Sequence, residues 1–141
     1  MHRRSFLVLT GTALAAPALG RASEAPVRLA DLYDPGGAPS ALALSLEGQP
    51  VRLDGFMAPP LKPEARFFVL TERPMATCPF CAAGTQWPER IVTVQLRHRL
   101  RVIPFNRPVA AVGTLALAPA TDEANDIHSR VWLSDATYQR L

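Results

Sequence analysis

The two cysteines of this 141-residue chain stand together as Cys78-Pro79-Phe80-Cys81. That spacing admits three kinds of chemistry. In a thiol–disulfide oxidoreductase the first cysteine opens a helix whose dipole lowers the thiol pKa, so that it attacks as a thiolate. In a metal site both thiolates ligate one ion, and further donors complete the shell. In an oxidising compartment the sulfurs pair and brace the loop that carries them. The ring closed by such a disulfide is small and restricts the unfolded chain little, so its effect is local stiffness.

Each alternative makes demands on the surrounding residues. Gly84 and Pro88 interrupt the segment after Cys81, which also lacks apolar residues at helical spacing. The βαβ pattern expected around a thioredoxin-type motif is missing as well. A metal site needs more donors than two sulfurs. Met57 and Met75 offer thioethers, and with Cys78 and Cys81 they make a soft set suited to Cu(I), with Zn as the alternative. His98 is the candidate imidazole: it falls on the apolar parity of an alternating run, where the competing explanations are a partly buried ring satisfied by backbone groups or a strand that ends at Arg97. His128 lies in the polar stretch TDEANDIHS and is expected in a solvated loop, and the acids beside it lack the spacing of a calcium loop. Phe80, Trp87 and Trp132 are candidate contact residues for a partner. There is no glycine-rich phosphate loop, and no serine has nucleophile-elbow context. The chemistry points to a binding module rather than an enzyme, with a thiol–disulfide oxidoreductase and a structural domain with a loop-bracing disulfide as the alternatives.

The elements that must position these residues are mostly strands. Fourteen prolines and eight glycines argue against a helical bundle. Ser40 is placed to cap a short helix through Leu46 that ends at Gly48, after one helical turn near Leu29–Tyr33. Residues 50–58 alternate, with Val51 and Leu53 on one face and Arg52 and Asp54 on the other, until Gly55 breaks the phase and predicts a β-bulge. Residues 66–71 are apolar on both faces, as in a central strand. Residues 91–103 form the longest alternating run, and residues 109–118 form a strand of small residues in which Gly113 suits close approach of a neighbour. Residues 130–134 make a last strand with Val131 and Leu133 inward and Trp132 outward, followed by a helical turn over 135–141. Five strands of this kind predict a small OB-like barrel with a short N-terminal helix, an SH3-like barrel being the second choice.

Residues 1–22 have a different character. A charged start, an apolar stretch from Phe6 to Leu19 and small residues ending at Ala22 are the parts of an export signal. His2-Arg3-Arg4-Ser5-Phe6-Leu7 carries the arginine pair and the Phe-Leu spacing of the twin-arginine route, with cleavage expected after Gly20 or Ala22. The apolar stretch is shorter than the roughly 20 residues of a membrane span, so no transmembrane span is expected in the mature chain. The expected organisation is a twin-arginine signal peptide (1–22), a linker with the short helix (23–45) and a β-barrel domain (46–141), located in the periplasm. The net charge of +3 resides in Arg3, Arg4 and Arg21, and the rest of the chain is balanced. With no stripe of basic residues interleaved with aromatics, nucleic acid is not expected as a partner.

The block Gly48-x-x-Val51-x-x-x-Gly55-Phe56-Met57-x-Pro59 resembles the start of a family of small exported bacterial proteins of unknown function. Residues 67–70, Arg73–Cys81, Trp87-Pro88, Ile91-Val92-x-Val94 and the segment from Pro108 through Gly113-x-Leu115 resemble its later blocks in order and spacing. The resemblance spans residues 46–135. It implies an exported, single, barrel-like domain and an association with ABC-type transport systems, some of them linked to metal supply. It assigns no role to the matching residues, among them Gly48, Gly55, Met57, Pro59, Cys78, Cys81, Trp87, Pro88 and Gly113. The expected function is therefore a periplasmic accessory module that handles a soft metal or docks a membrane transporter component through the Met75–Cys81 loop.

Overall fold

The computed structural model of the chain describes residues 25–60, 62, 64–77, 87–117 and 129–141. A 3-10 turn (Leu29–Leu32) and a helix, α1 (Ala41–Leu46), precede five strands: β1 (Pro50–Met57), β2 (Phe67–Thr71), β3 (Ile91–Leu96), β4 (Pro108–Leu117) and β5 (Val131–Arg140). The domain is mostly β, as expected. The strands follow the order β1-β2-β3-β5-β4, and β4 returns to β1, so the sheet closes on itself. All neighbours are antiparallel except β3 and β5, which run parallel because β5 is inserted between β3 and β4.

Local chemistry explains the entry into this sheet. The Ser40 hydroxyl accepts the Ala43 N–H at 3.2 Å and caps α1. Gly48 then takes a left-handed φ of 77°, which glycine adopts without penalty, and its N–H donates to Leu115 O on β4. On β1, Val51, Leu53 and Met57 point inward while Arg52 and Asp54 pair outside at 2.9 Å. Inside, they meet Phe68, Leu70, Val92, Val94, Leu115 and Leu133. The stretch expected as a linker and short helix also packs here: Leu29, Leu32, Tyr33 and Ala43 are buried in the same core. Each leucine so buried stabilises the fold by about 1.5–3 kcal/mol. β2 is covered on both faces, with Val69 joining Ala58 and Ile91 in a second cluster outside the closed sheet.

Three expectations about the strands are corrected. First, Gly55 does not break the phase of β1. It faces inward between Leu53 and Met57, and the register with β4 runs through it without a bulge. Its role is close approach: a Cβ there would lie 2.7 Å from Thr71 O and 3.1 Å from Leu70 Cγ. The bulge lies instead in β5, where three steps from Leu133 to Ala136 match two from Val94 to Leu96 on β3. The same extra residue appears against β4, and Asp135 within it has φ 53°. Gly113 faces this bulge, where a Cβ would sit 2.8 Å from Ser134 O, so the close approach expected of it is present.

Second, β3 stops at Leu96 rather than reaching Ile103. Its partner β2 begins at Phe67, opposite Gln95. After the Leu96 N–H bonds to Arg66 O and the Arg97 N–H to Ala136 O, neither neighbour offers a ladder. Leu100 still turns inward, whereas Val102 is 52% exposed. Third, residues 135–140 continue β5 instead of forming a helical turn, paired with β4 as far as Val109↔Arg140.

Candidate functional site

Residues 78–86 lie outside the described residues, so the pairing of Cys78 with Cys81 and the position of Phe80 fall there too, as does His128. The frame that holds this connection is described in full. β2 and β3 bring its roots together by pairing Thr71 with Ile91. The Thr71 hydroxyl donates to Arg73 O at 2.8 Å, with Phe56 O at 3.2 Å, and so fixes the exit of the chain from the sheet. Between Thr71–Arg73 and Met75 on one side and Pro88–Arg90 on the other lies a hollow of about 260 Å³. Met75 is half-buried against it. Its other described walls carry Glu72, Arg73, Glu89 and Arg90, two charges of each sign.

A second connection starts from the same place. Leu117 of β4 pairs with Val131 of β5, and Val131 pairs with Val92 of β3. The strand ends that border residues 78–86 and those that border residues 118–128 therefore lie side by side. Buried hydroxyls tie them. The Ser129 hydroxyl donates to Val131 O at 2.7 Å, lies 3.2 Å from Ile91 O and accepts the Thr93 N–H at 3.2 Å. The Tyr33 hydroxyl, from the turn after the 3-10 helix, donates to Ile91 O. Burial pushes the Tyr33 pKa above its ordinary value, against the smaller opposing pull of its hydrogen bonds. Thr93 Oγ1, in a residue 1% exposed, has no partner among the described residues. The two indoles flank this network. Trp87 packs on Ala58, Val69 and Ile91, and the Trp132 Nε1–H donates to Ser129 O at 2.9 Å. Trp132 points outward, as expected, yet its polar edge is committed to the frame.

The candidate metal donors do not converge. Met57 is fully buried in the core, and its Sδ accepts the Ile103 N–H at 3.4 Å. His98 is exposed just beyond β3, in the connection to β4, at the opposite end of the sheet from Met75. The parity that suggested an inward His98 is lost once β3 ends at Leu96. Of the five candidate donors, Met75 alone is both described and located at the roots of the cysteine connection. Among the described residues, no group of three or more His, Cys, Asp or Glu is placed to hold a metal ion, and no helix is long and apolar enough to cross a membrane. Sequence reasoning missed Tyr33 and Ser129 because a hydroxyl that bonds backbone atoms leaves no periodic signature.

No protein-family model matches the chain, and no curated protein matches it. Among solved structures, the chain is similar to a DUF3299 family protein from Pseudomonas aeruginosa PAO1, with a TM-score of 0.54 and 18% identity. The match covers 83% of this chain and 97% of that one. At this identity the likeness extends to the fold.

Proposed function

We propose that this chain is a non-enzymatic accessory module exported to the periplasm by the twin-arginine route, and that it works through the end of its sheet that bears Met75, Cys78 and Cys81. The observation that carries this reading is the frame. Two connections begin at adjacent strand ends that Tyr33 and Ser129 tie together, with the half-buried Met75 beside these ends. A braced base under long connections is the arrangement of a recognition surface on a rigid scaffold. The strand order and the parallel β3–β5 pair support an OB-like barrel over an SH3-like one. The similarity to a DUF3299 family protein supports membership of a family of small bacterial proteins without assigned chemistry.

Two kinds of partner suit this end: a soft metal ion, Cu(I) or Zn, held by Cys78, Cys81 and Met75, or a component of an ABC-type transporter docked on the loop with Phe80 and Trp87. The metal reading requires both sulfurs as thiolates, so oxidation to the disulfide abolishes it. Metal analysis of anaerobically purified protein is the test. One ion per chain in the wild type, lost in Cys78→Ser and weakened in Met75→Leu, is the expected result. Equal metal content in wild type and Cys78→Ser removes the metal. A Cys78 thiol pKa well below about 8.5, with turnover of an added disulfide, replaces the module by an oxidoreductase.

A further inference from the structure

The opposite end of the sheet holds a cavity of about 580 Å³, within the range of small-molecule sites. Two irregularities open it. β3 leaves the sheet at Leu96, and β5 bulges at Asp135, so the strands part where they would otherwise pair. Leu96, Ile103, Ala136 and the ring of Tyr138 form an apolar floor. His98, Arg99 and Arg101 stand around it.

The cavity is built rather than incidental. The connection that carries its cations is not a strand, yet it is fastened at several points. The Leu100 N–H donates to Ala65 O at 3.1 Å, and the Ile103 N–H reaches Met57 Sδ. The Tyr138 hydroxyl donates to Arg101 O and accepts the Arg101 N–H, both at 2.6 Å. The Tyr138 ring is held in turn edge-on against Phe68 with centroids 5.1 Å apart. The backbone under Arg101 is therefore fixed before any ligand arrives, which lowers the entropic cost of binding.

Among the described residues, the charges of Arg99 and Arg101 are uncompensated. Asp135 is the one acid beside this connection that forms an ion pair among the described residues, and Arg97 takes it: its Nη2 lies 2.5 Å from Asp135 Oδ2, and its Nε–H donates to Asp135 O. The Arg99 and Arg101 guanidinium groups make no ion pair or hydrogen bond among the described residues, and none of the described residues lining the cavity is acidic. Asp135 also occupies a left-handed backbone position, a strain that folds tolerate more often at functional places.

We propose that this cavity binds an amphiphilic anion, with a carboxylate or phosphate head between Arg99 and Arg101 and an apolar body on Leu96, Ile103, Ala136 and Tyr138. The guanidinium forks match either head group through paired N–H donors. This site is independent of the proposed role of Met75, Cys78 and Cys81. The same head group reaches the protein either as a free amphiphile or as part of a lipid surface, for which Val102 and Phe105, exposed on the same connection, offer apolar side chains.

The experiment titrates the mature chain with decyl phosphate below its micellar range, by calorimetry and by amide chemical shifts. Decanol and inorganic phosphate serve as head-free and tail-free controls, and phosphatidylglycerol vesicles as the lipid surface. The expected result is saturable one-to-one binding of decyl phosphate, with shifts at Ala136 and Thr137. Decanol and phosphate should each bind at least tenfold more weakly. The double variant Arg99→Gln/Arg101→Gln, whose exposed side chains do not support the core, should lose at least tenfold in affinity with an unchanged melting temperature. Decyl phosphate binding that is equal in this variant, or matched by decanol, overturns the proposal. So does binding to the vesicles with no saturable binding of the monomeric amphiphile.

Discussion

At one end of the closed sheet, the Tyr33 and Ser129 hydroxyls are buried and spent on backbone; at the other, the Arg99 and Arg101 guanidinium groups are exposed and have no partner among the described residues. Tyr33 and Ser129 direct their hydroxyls at Ile91, Thr93 and Val131, where they join strand ends. Tyr138 also spends its hydroxyl on backbone, at Arg101, but its effect is to present a guanidinium to solvent above an apolar floor. The same residue type thus braces the sheet in one place and preorganises a charge in the other. The contrast separates a brace from an anion-binding cavity: substitutions in the Tyr33–Ser129 brace should show in unfolding, and substitutions of the cations around the far cavity in decyl phosphate binding.

The severest challenge to that separation is a residue that serves both ends. Phe68 is buried in the core and packs edge-on against Tyr138. Phe68→Ala should lower stability by about 3–5 kcal/mol, measured by urea unfolding. It should also weaken decyl phosphate binding, because the wall formed by Tyr138 loses its support. Full loss of stability with unchanged affinity would show that the cavity does not depend on the core.

Ser129→Ala comes next. It removes the acceptor of the Thr93 N–H, a buried donor, and should cost about 1–3 kcal/mol. Affinity at the far cavity should not change. Thr93→Val provides the opposite sign at the same place: the Thr93 hydroxyl is buried without a partner among the described residues, so its removal should raise the unfolding midpoint slightly.

Tyr33→Phe should cost about 1 kcal/mol near neutral pH, since Ile91 O keeps Ser129 as a neighbour. The sharper signal is at alkaline pH. Burial raises the Tyr33 pKa, so the unfolded chain ionises first, near about 10. The folded state prefers the neutral phenol, and the stability this contributes is present below that pH. It is lost as pH rises through the elevated folded value. Unfolding curves taken through this alkaline range should fall more steeply for the wild type than for Tyr33→Phe, and equal slopes would mean that the phenol ionises freely in the folded state.

These pairs also show which parts of the molecule were legible in the sequence. Alternation in β1 and the double-faced apolar run of β2 are direct products of the solvent boundary, so strand identity and inward residues could be read from periodicity. The cap at Ser40 and the turn at Gly48 follow from local chemistry alone. Strand ends are a different matter. β3 stops because β2 begins opposite Gln95, and β5 continues because β4 extends to Val109; both are properties of the partner strand. Gly55 was visible as an exception, but periodicity could not distinguish a bulge from a close approach, because the colliding atom, Thr71 O, belongs to another strand. The same cause dispersed the candidate metal donors. Met57 and His98 were grouped with the cysteines by chemistry, and their positions were set by the core and by the early end of β3. The cavity had no signature at all, since it arises from a bulge that only pairing reveals.

The smallest expected effect concerns that bulge. Asp135 combines an exposed ion pair with a left-handed backbone, and these oppose each other in energy. A pair at this exposure contributes no more than about 1 kcal/mol. Left-handed φ costs an ordinary L-residue roughly 1–2 kcal/mol, and aspartate somewhat less. Asp135→Gly removes both contributions and should change stability by no more than about 0.5 kcal/mol. Asp135→Ala keeps the Cβ and loses the pair, so it should be the less stable of the two by about 1 kcal/mol. Both variants remove the carboxylate that neutralises Arg97 and leave its bond to the residue 135 carbonyl, so its charge then adds to the field of Arg99 and Arg101. Decyl phosphate affinity should rise about threefold at low ionic strength and return towards the wild-type value in salt. A rise in Asp135→Gly alone would trace the change to backbone relaxation in β5; a rise in both would trace it to the released charge.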